Sequence, residues 1–99
     1  ISWNCETQQK AHVTLTANRS MNNPTNVIEG ATYVLQIIQD GTGSRTVTWG
    51  SNFDFGDVGA PTLSTTAGKT DILVFEGGVF GELYFIGIKK GFTRLTGLE

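Results

Sequence analysis

Tyr33-Val34-Leu35-Gln36-Ile37-Ile38-Gln39, then Asp40-Gly41-Thr42-Gly43-Ser44, then Arg45-Thr46-Val47-Thr48-Trp49 is the stretch on which the fold turns. Its first seven residues put apolar side chains on both faces of an extended chain, with Gln36 breaking the inner pattern. Such a run reads as a central strand covered on both sides. Two glycines in the next five residues permit the positive φ that a reversing loop needs. The Asp40 carboxylate is expected to bond its own backbone in that turn. In the last five residues Val47 and Trp49 share one face and Thr46 and Thr48 the other, so the whole stretch predicts a β-hairpin.

Outward from this hairpin the pattern stays that of strands and turns. Ala11 to Ala17 reads as a strand with Val13 and Leu15 on one face and His12, Thr14 and Thr16 on the other. Asn18 to Thr25, with three Asn, a Ser and Pro24, reads as a loop, and Asn26 to Glu29 as a short edge strand. Gly50 to Pro61 reads as a loop with Phe53 and Phe55 tucked beneath it, and Thr62 to Thr65 as a place for short strands. Ile72 to Phe75 and Leu83 to Ile88 form a second strong pair around Glu76-Gly77-Gly78. From Lys89 the tail is open to two readings, a last strand or a mobile end anchored by Phe92, Leu95 and Leu98. No stretch shows helical apolar spacing over three turns, and no fixed period repeats. The expectation is one all-β domain over residues 1–99, an antiparallel β-sandwich of jelly-roll type.

A chain of 99 residues buries about 60 to 65% of its unfolded surface, so its stability is modest unless supplemented. A single cysteine, Cys5, forms no intrachain bridge, which leaves oligomerisation as the route. The net charge of -2, with 16% charged residues, gives no basic face for nucleic acid or an anionic membrane. No apolar run approaches the ~18 residues of a spanning helix. The start at Ile1-Ser2-Trp3, with no Met, suggests a fragment of a longer protein, and Leu98-Glu99 suggests a cloning scar.

Chemistry is sparse. Cys5 and His12 are the only Cys/His combination for a nucleophile and base, and one of each falls short of a zinc ligand set. Asp54 and Asp57 supply two oxygen ligands for calcium but lack the spacing of an EF-hand loop, so solvated turn acids are the expected reading. Asp54-Phe55-Gly56 spells a kinase magnesium motif in a chain too short to be a kinase. Gly41-Thr42-Gly43 opens a dinucleotide fingerprint, but Thr46 replaces its third glycine and a strand follows. Asn18-Arg19-Ser20 has glycosylation spacing with no sign of secretion. Catalytic residues, metal ligands and cofactors are therefore expected to be none.

The aromatics Trp3, Trp49, Phe53, Phe55, Phe80 and Tyr84 are open to two readings, stacking on sugar rings or filling a core. The phase of Trp49 with Val47 favours the core, and Phe80 in a glycine-rich turn is the better exposed contact.

The block ATYVLQIIQDGTGSRTVTWGSNF, followed by APTLSTTAGKTDILVF, resembles a pattern in bacteriophage tail fibres and related virion appendages. QDGTGSRTVTW followed closely by APTLSTTA is its most specific part. After Trp49 the chain departs from that pattern, with Gly50 and an acidic aromatic loop in place of a proline and a tryptophan-containing loop. The resemblance implies a structural or host-recognition module, a homotrimer near the C-terminal end of a longer protein, located in the virion. It implies no catalytic residue. Contact with a host glycan or protein receptor then falls to loops, through Asn52, Phe53, Asp54, Phe55, Asp57 and Phe80. The alternative is a monomeric carbohydrate-binding module attached to an enzyme.

Overall fold

A computed structural model describes residues 1–93. Seven strands follow one another: β1 (Lys10–Leu15), β2 (Arg19–Met21), β3 (Thr32–Gln39), β4 (Val47–Trp49), β5 (Phe53–Asp54), β6 (Lys69–Gly77) and β7 (Leu83–Thr93). A single 3-10 turn at Gly56–Val58 interrupts them, and no α-helix occurs among the described residues. The all-β class is as expected. The strands form a five-stranded sheet in the order β1-β3-β6-β7-β5 and a two-stranded ribbon of β2 and β4.

The antiparallel expectation is corrected, because β1/β3, β2/β4 and β5/β7 are parallel and only β3/β6 and β6/β7 are antiparallel. The cause lies in the path of the chain. After β1 it leaves the sheet for β2 in the ribbon, returns for β3, and leaves again for β4. For β1/β3 and β2/β4 the intervening strand lies in the other sheet and is the crossover that a parallel pair needs, whereas β5 and β7 are linked through β6 of their own sheet.

The hairpin expected from Tyr33 to Trp49 does not form. Both edges of β3 are occupied, by β1 in register Lys10 to Val34 and by β6 in register Leu35 to Leu73, so β4 finds no edge there and pairs with β2. The true hairpin is the second strong pair, β6 and β7, joined through Gly78–Glu82. Arg19–Met21, expected as loop, is a strand, whereas Asn26 to Glu29 and Thr62 to Thr65 form none. The tail reading resolves as strand through Thr93; Leu95, Leu98 and the Leu98-Glu99 pair lie outside the described residues.

Between sheet and ribbon lies an aromatic core. Period-two alternation sends Tyr33, Leu35 and Ile37 of β3, Leu73 and Phe75 of β6, and Leu83 of β7 inward, and all are buried. Phe75 is the hub. Its ring stands 6.2 Å from Trp3, 6.3 Å from Trp49, 5.6 Å from Phe53 and 5.7 Å from Phe85, all tilted or edge-on. Such pairs add about 0.5–1.5 kcal/mol each beyond their area, enough to hold the short ribbon against the sheet. The double-sided cover expected of β3 exists only on this inner face; on the other, Val34 and Ile38 are half-buried and Gln36 exposed.

Candidate functional site

The most distinctive part of the sequence folds into an internal clamp. Asp40 Oδ1 accepts the N–H groups of Thr42 and Gly43, each at 3.0 Å, which forms the expected turn. The guanidinium of Arg45 closes on the same carboxylate at 3.1 Å. This hydrogen bond from Arg45, and then the Gly43 N–H, hold the Asp40 carboxyl below the usual carboxylate range. Gly43 has φ 75°, and a Cβ there would meet the Thr65 carbonyl at 2.6 Å, so the loop needs glycine for both conformation and space.

The loop lies on the segment Ser64–Gly68. Ser44 N–H donates to the Thr65 carbonyl at 2.7 Å, and Gly68 N–H to the carbonyls of Gln39 and Asp40. At the centre the buried Gln39 amide uses every near group: Nε2 donates to the carbonyls of Arg45 at 2.8 Å and Ser64 at 2.9 Å, and Oε1 accepts Arg45 N–H at 3.0 Å. QDGTGSR and STTAG, remote in sequence, are two halves of one tie. Asp71 secures its far side, since this buried carboxylate accepts Ser64 N–H at 2.6 Å and Gly91 N–H at 2.9 Å. No buried side-chain nitrogen or oxygen among the described residues lacks a hydrogen-bond partner, so the buried amide and carboxylate of the tie serve the fold.

The expected contact residues divide. Phe53 is 5% exposed and stacks in the core 5.1 Å from Trp49, and half-buried Phe55 lies 5.2 Å from Trp49 and 5.3 Å from Phe85. Both rings pack inward against the aromatic core, where the plug reading places them. Asn52 is half-buried; Asp54 and Asp57 are exposed. Asn23 positions this loop from below, its Oδ1 accepting Asn52 N–H at 2.7 Å. A Cβ on Gly50 would meet Asn23 N at 2.8 Å, which explains glycine after Trp49. Phe80 is 85% exposed at the tip of the β6–β7 turn. Its N–H is held by Glu82 Oε1 at 2.7 Å while Gly78 N–H donates to the Glu82 carbonyl at 2.8 Å, so an apolar ring stands out on an ordered turn.

Trp49 is half-buried and floors a shallow groove between β4 and the segment Ala60–Thr65, with Val47, Pro61 and Leu63. Its ring is engaged by Phe53, Phe55 and Phe75, in keeping with the core reading. Cys5 is buried in the core, and burial pushes its thiol up to about 11. His12 is exposed on the opposite face of the sheet, so the two do not meet. Asp54 Oδ1 accepts Gly56 N–H at 2.9 Å as a turn acid does. No cluster of three His, Cys, Asp or Glu suited to a metal occurs among the described residues.

Gln39, Asn23 and Asp71 escaped sequence reasoning because their roles depend on backbone groups 6 to 29 residues away. The outer side of the sheet was missed as well. There Ile86, 63% exposed, lies with Ile72 and Val74 over Gly87. The signal was present as apolar residues at both phases of β6 and β7.

Residues 4–78 match the family model described as "Putative phage tail fibre C-terminal domain". No curated protein and no solved structure matches the chain.

Proposed function

The chain belongs to the phage tail fibre C-terminal domain family, matched over more than half its length, and from that premise we propose a non-catalytic module that assembles as a homotrimer and takes part in host attachment. A domain of this family has its place in a tail appendage of the virion. The family match carries the reading. The clamp supports it, because the most specific motif is consumed in holding the fold, which leaves contact with a host to the loops outside it.

Attachment falls to the end of the molecule that carries Phe80 and the Asn52–Asp57 loop. Rigid exposed aromatics flanked by polar groups are what glycan and protein contacts use. With Phe53 and Phe55 inside and Asp54 on the edge strand β5, the proposed contacts narrow to Asn52, Asp57 and Phe80. Fluorescently labelled chain added to bacteria susceptible to the parent phage is expected to bind, with binding reduced about tenfold or more by Phe80→Ala. Equal binding by wild type and Phe80→Ala, at unchanged melting temperature, would remove Phe80 from the contact.

The Trp49 groove supports a second reading, a carbohydrate-binding module. It gains the upper hand if glycan-array binding is lost on Trp49→Ala and kept on Phe80→Ala.

A further inference from the structure

Deepening the assembly reading above, on which it rests, we infer that copies of this chain meet through the outer face of the five-stranded sheet, the Lys10 edge of one copy against the Asp54 edge of the next. The face is built for cover that the described chain does not supply. Alternation points Val34 and Ile38 of β3, Ile72 and Val74 of β6, and Ile86 and Phe92 of β7 away from the core. These form a stripe across three adjacent strands, with Ile86 63% and Phe92 47% exposed. Polar Gln36, Thr70, Glu76 and Lys89 share the face around this stripe, but a face wetted throughout would carry polar residues at the positions of the stripe as well. Four long strands at ~4.8 Å and about seven residues at ~3.3 Å give a footprint of about 440 Å². This planar footprint is about half of the ~800 Å² per partner in a standard interface, and contact between the two edges adds to it.

Charge selects the occupant. β1, one edge of the sheet, presents exposed Lys10 and His12 and no acid. The opposite edge presents exposed Asp54 of β5, with Glu82 close enough that it and Asp54, after desolvation, raise the Tyr84 hydroxyl's pKa. The only ion pair among the described residues is Arg45–Asp40, so Lys10, Asp54 and Glu82 have no oppositely charged partner there, although Asp54 and Glu82 each accept a backbone N–H. Lys10 lies opposite Val34, two residues along from Thr32, whose row runs through Glu76 and Tyr84 to Asp54. The two edges therefore carry opposite charge at nearly the same level. Rotation about an axis along the strands preserves that level and brings the basic edge of each copy to the acidic edge of its neighbour, a heterologous contact that closes into a ring. The partner is a second copy of this chain, and the threefold ring follows the assembly reading.

The test is the mass of the 99-residue chain by light scattering after size exclusion, over a dilution series. Wild type is expected to assemble, and Ile86→Asp to stay monomeric at concentrations where wild type does not. Lys10→Glu is expected to weaken assembly about tenfold or more, and Lys10→Glu with Asp54→Lys to restore it. Circular dichroism melts check that each variant folds. A wild type that remains monomeric overturns the assembly reading and this inference together. Wild-type assembly untouched by Ile86→Asp and Lys10→Glu leaves that reading standing and overturns the surface. Loss in Lys10→Glu without restoration by the double variant overturns the pairing of edges.

Discussion

The two faces of the five-stranded sheet both carry aliphatic residues at the centre of β3 and β6 and differ in what covers them. On the inner face Leu35, Ile37, Leu73 and Phe75 are buried beneath the ribbon and the N-terminal segment. On the outer face Val34, Ile38, Ile72 and Val74 lie one residue out of phase with them and are only half-buried. Hydrophobicity alone does not distinguish these central residues. The difference is that Trp3, Trp49 and Phe53 come from outside β3, β6 and β7 to close the inner side.

The largest effect is expected at the hub. Phe75→Ala removes a ring touching five others, and urea denaturation should show a loss of about 3–5 kcal/mol. A loss under about 1 kcal/mol would mean that the core is not organised around it. Next comes Gln39→Ala, which strands the carbonyls of Arg45 and Ser64 and the N–H of Arg45. About 2–3 kcal/mol is expected in the same measurement, with protection of the Arg45 amide from hydrogen exchange lost.

Asp40→Asn should have a smaller, pH-dependent effect. The Asp40 carboxyl is held low by Arg45 and Gly43, so its contribution is present above the ordinary carboxylate pKa of about 4 and fades as pH falls through the lowered value. The melting temperatures of wild type and variant should differ at neutral pH and converge in acid. The smallest effect is expected on the outer face: Ile86→Thr should change monomer stability by no more than about 0.5 kcal/mol. A loss like that of an inner-face substitution would show Ile86 to be covered within its own chain.

Much of the strand content could be read in advance. β1, β3, β6 and β7 lie where apolar alternation put them, and the Asp40 turn bonds its own backbone as aspartate in such a turn does. The Tyr33–Trp49 hairpin was misread because a loop with two glycines favours reversal locally, while β1 and β6 compete for both edges of β3. Arg19–Met21 looked like loop because a three-residue strand carries too little pattern to outweigh the asparagines around it. Of the expected contacts, Phe80 stands exposed where a glycine-rich turn suggested. Phe53 and Phe55 lie inward because β5 alternates against β7, a pairing no local signal announces.

Local alternation, turn chemistry and composition were enough to specify an all-β chain with a net charge of -2 and a single cysteine. These properties depend on residue types and on neighbours a few positions apart. Which strands pair, in which direction, and which of two apolar faces becomes the core depended on contacts across tens of residues. There one edge can hold only one partner, and one hub, Phe75, gathers rings from distant parts of the chain.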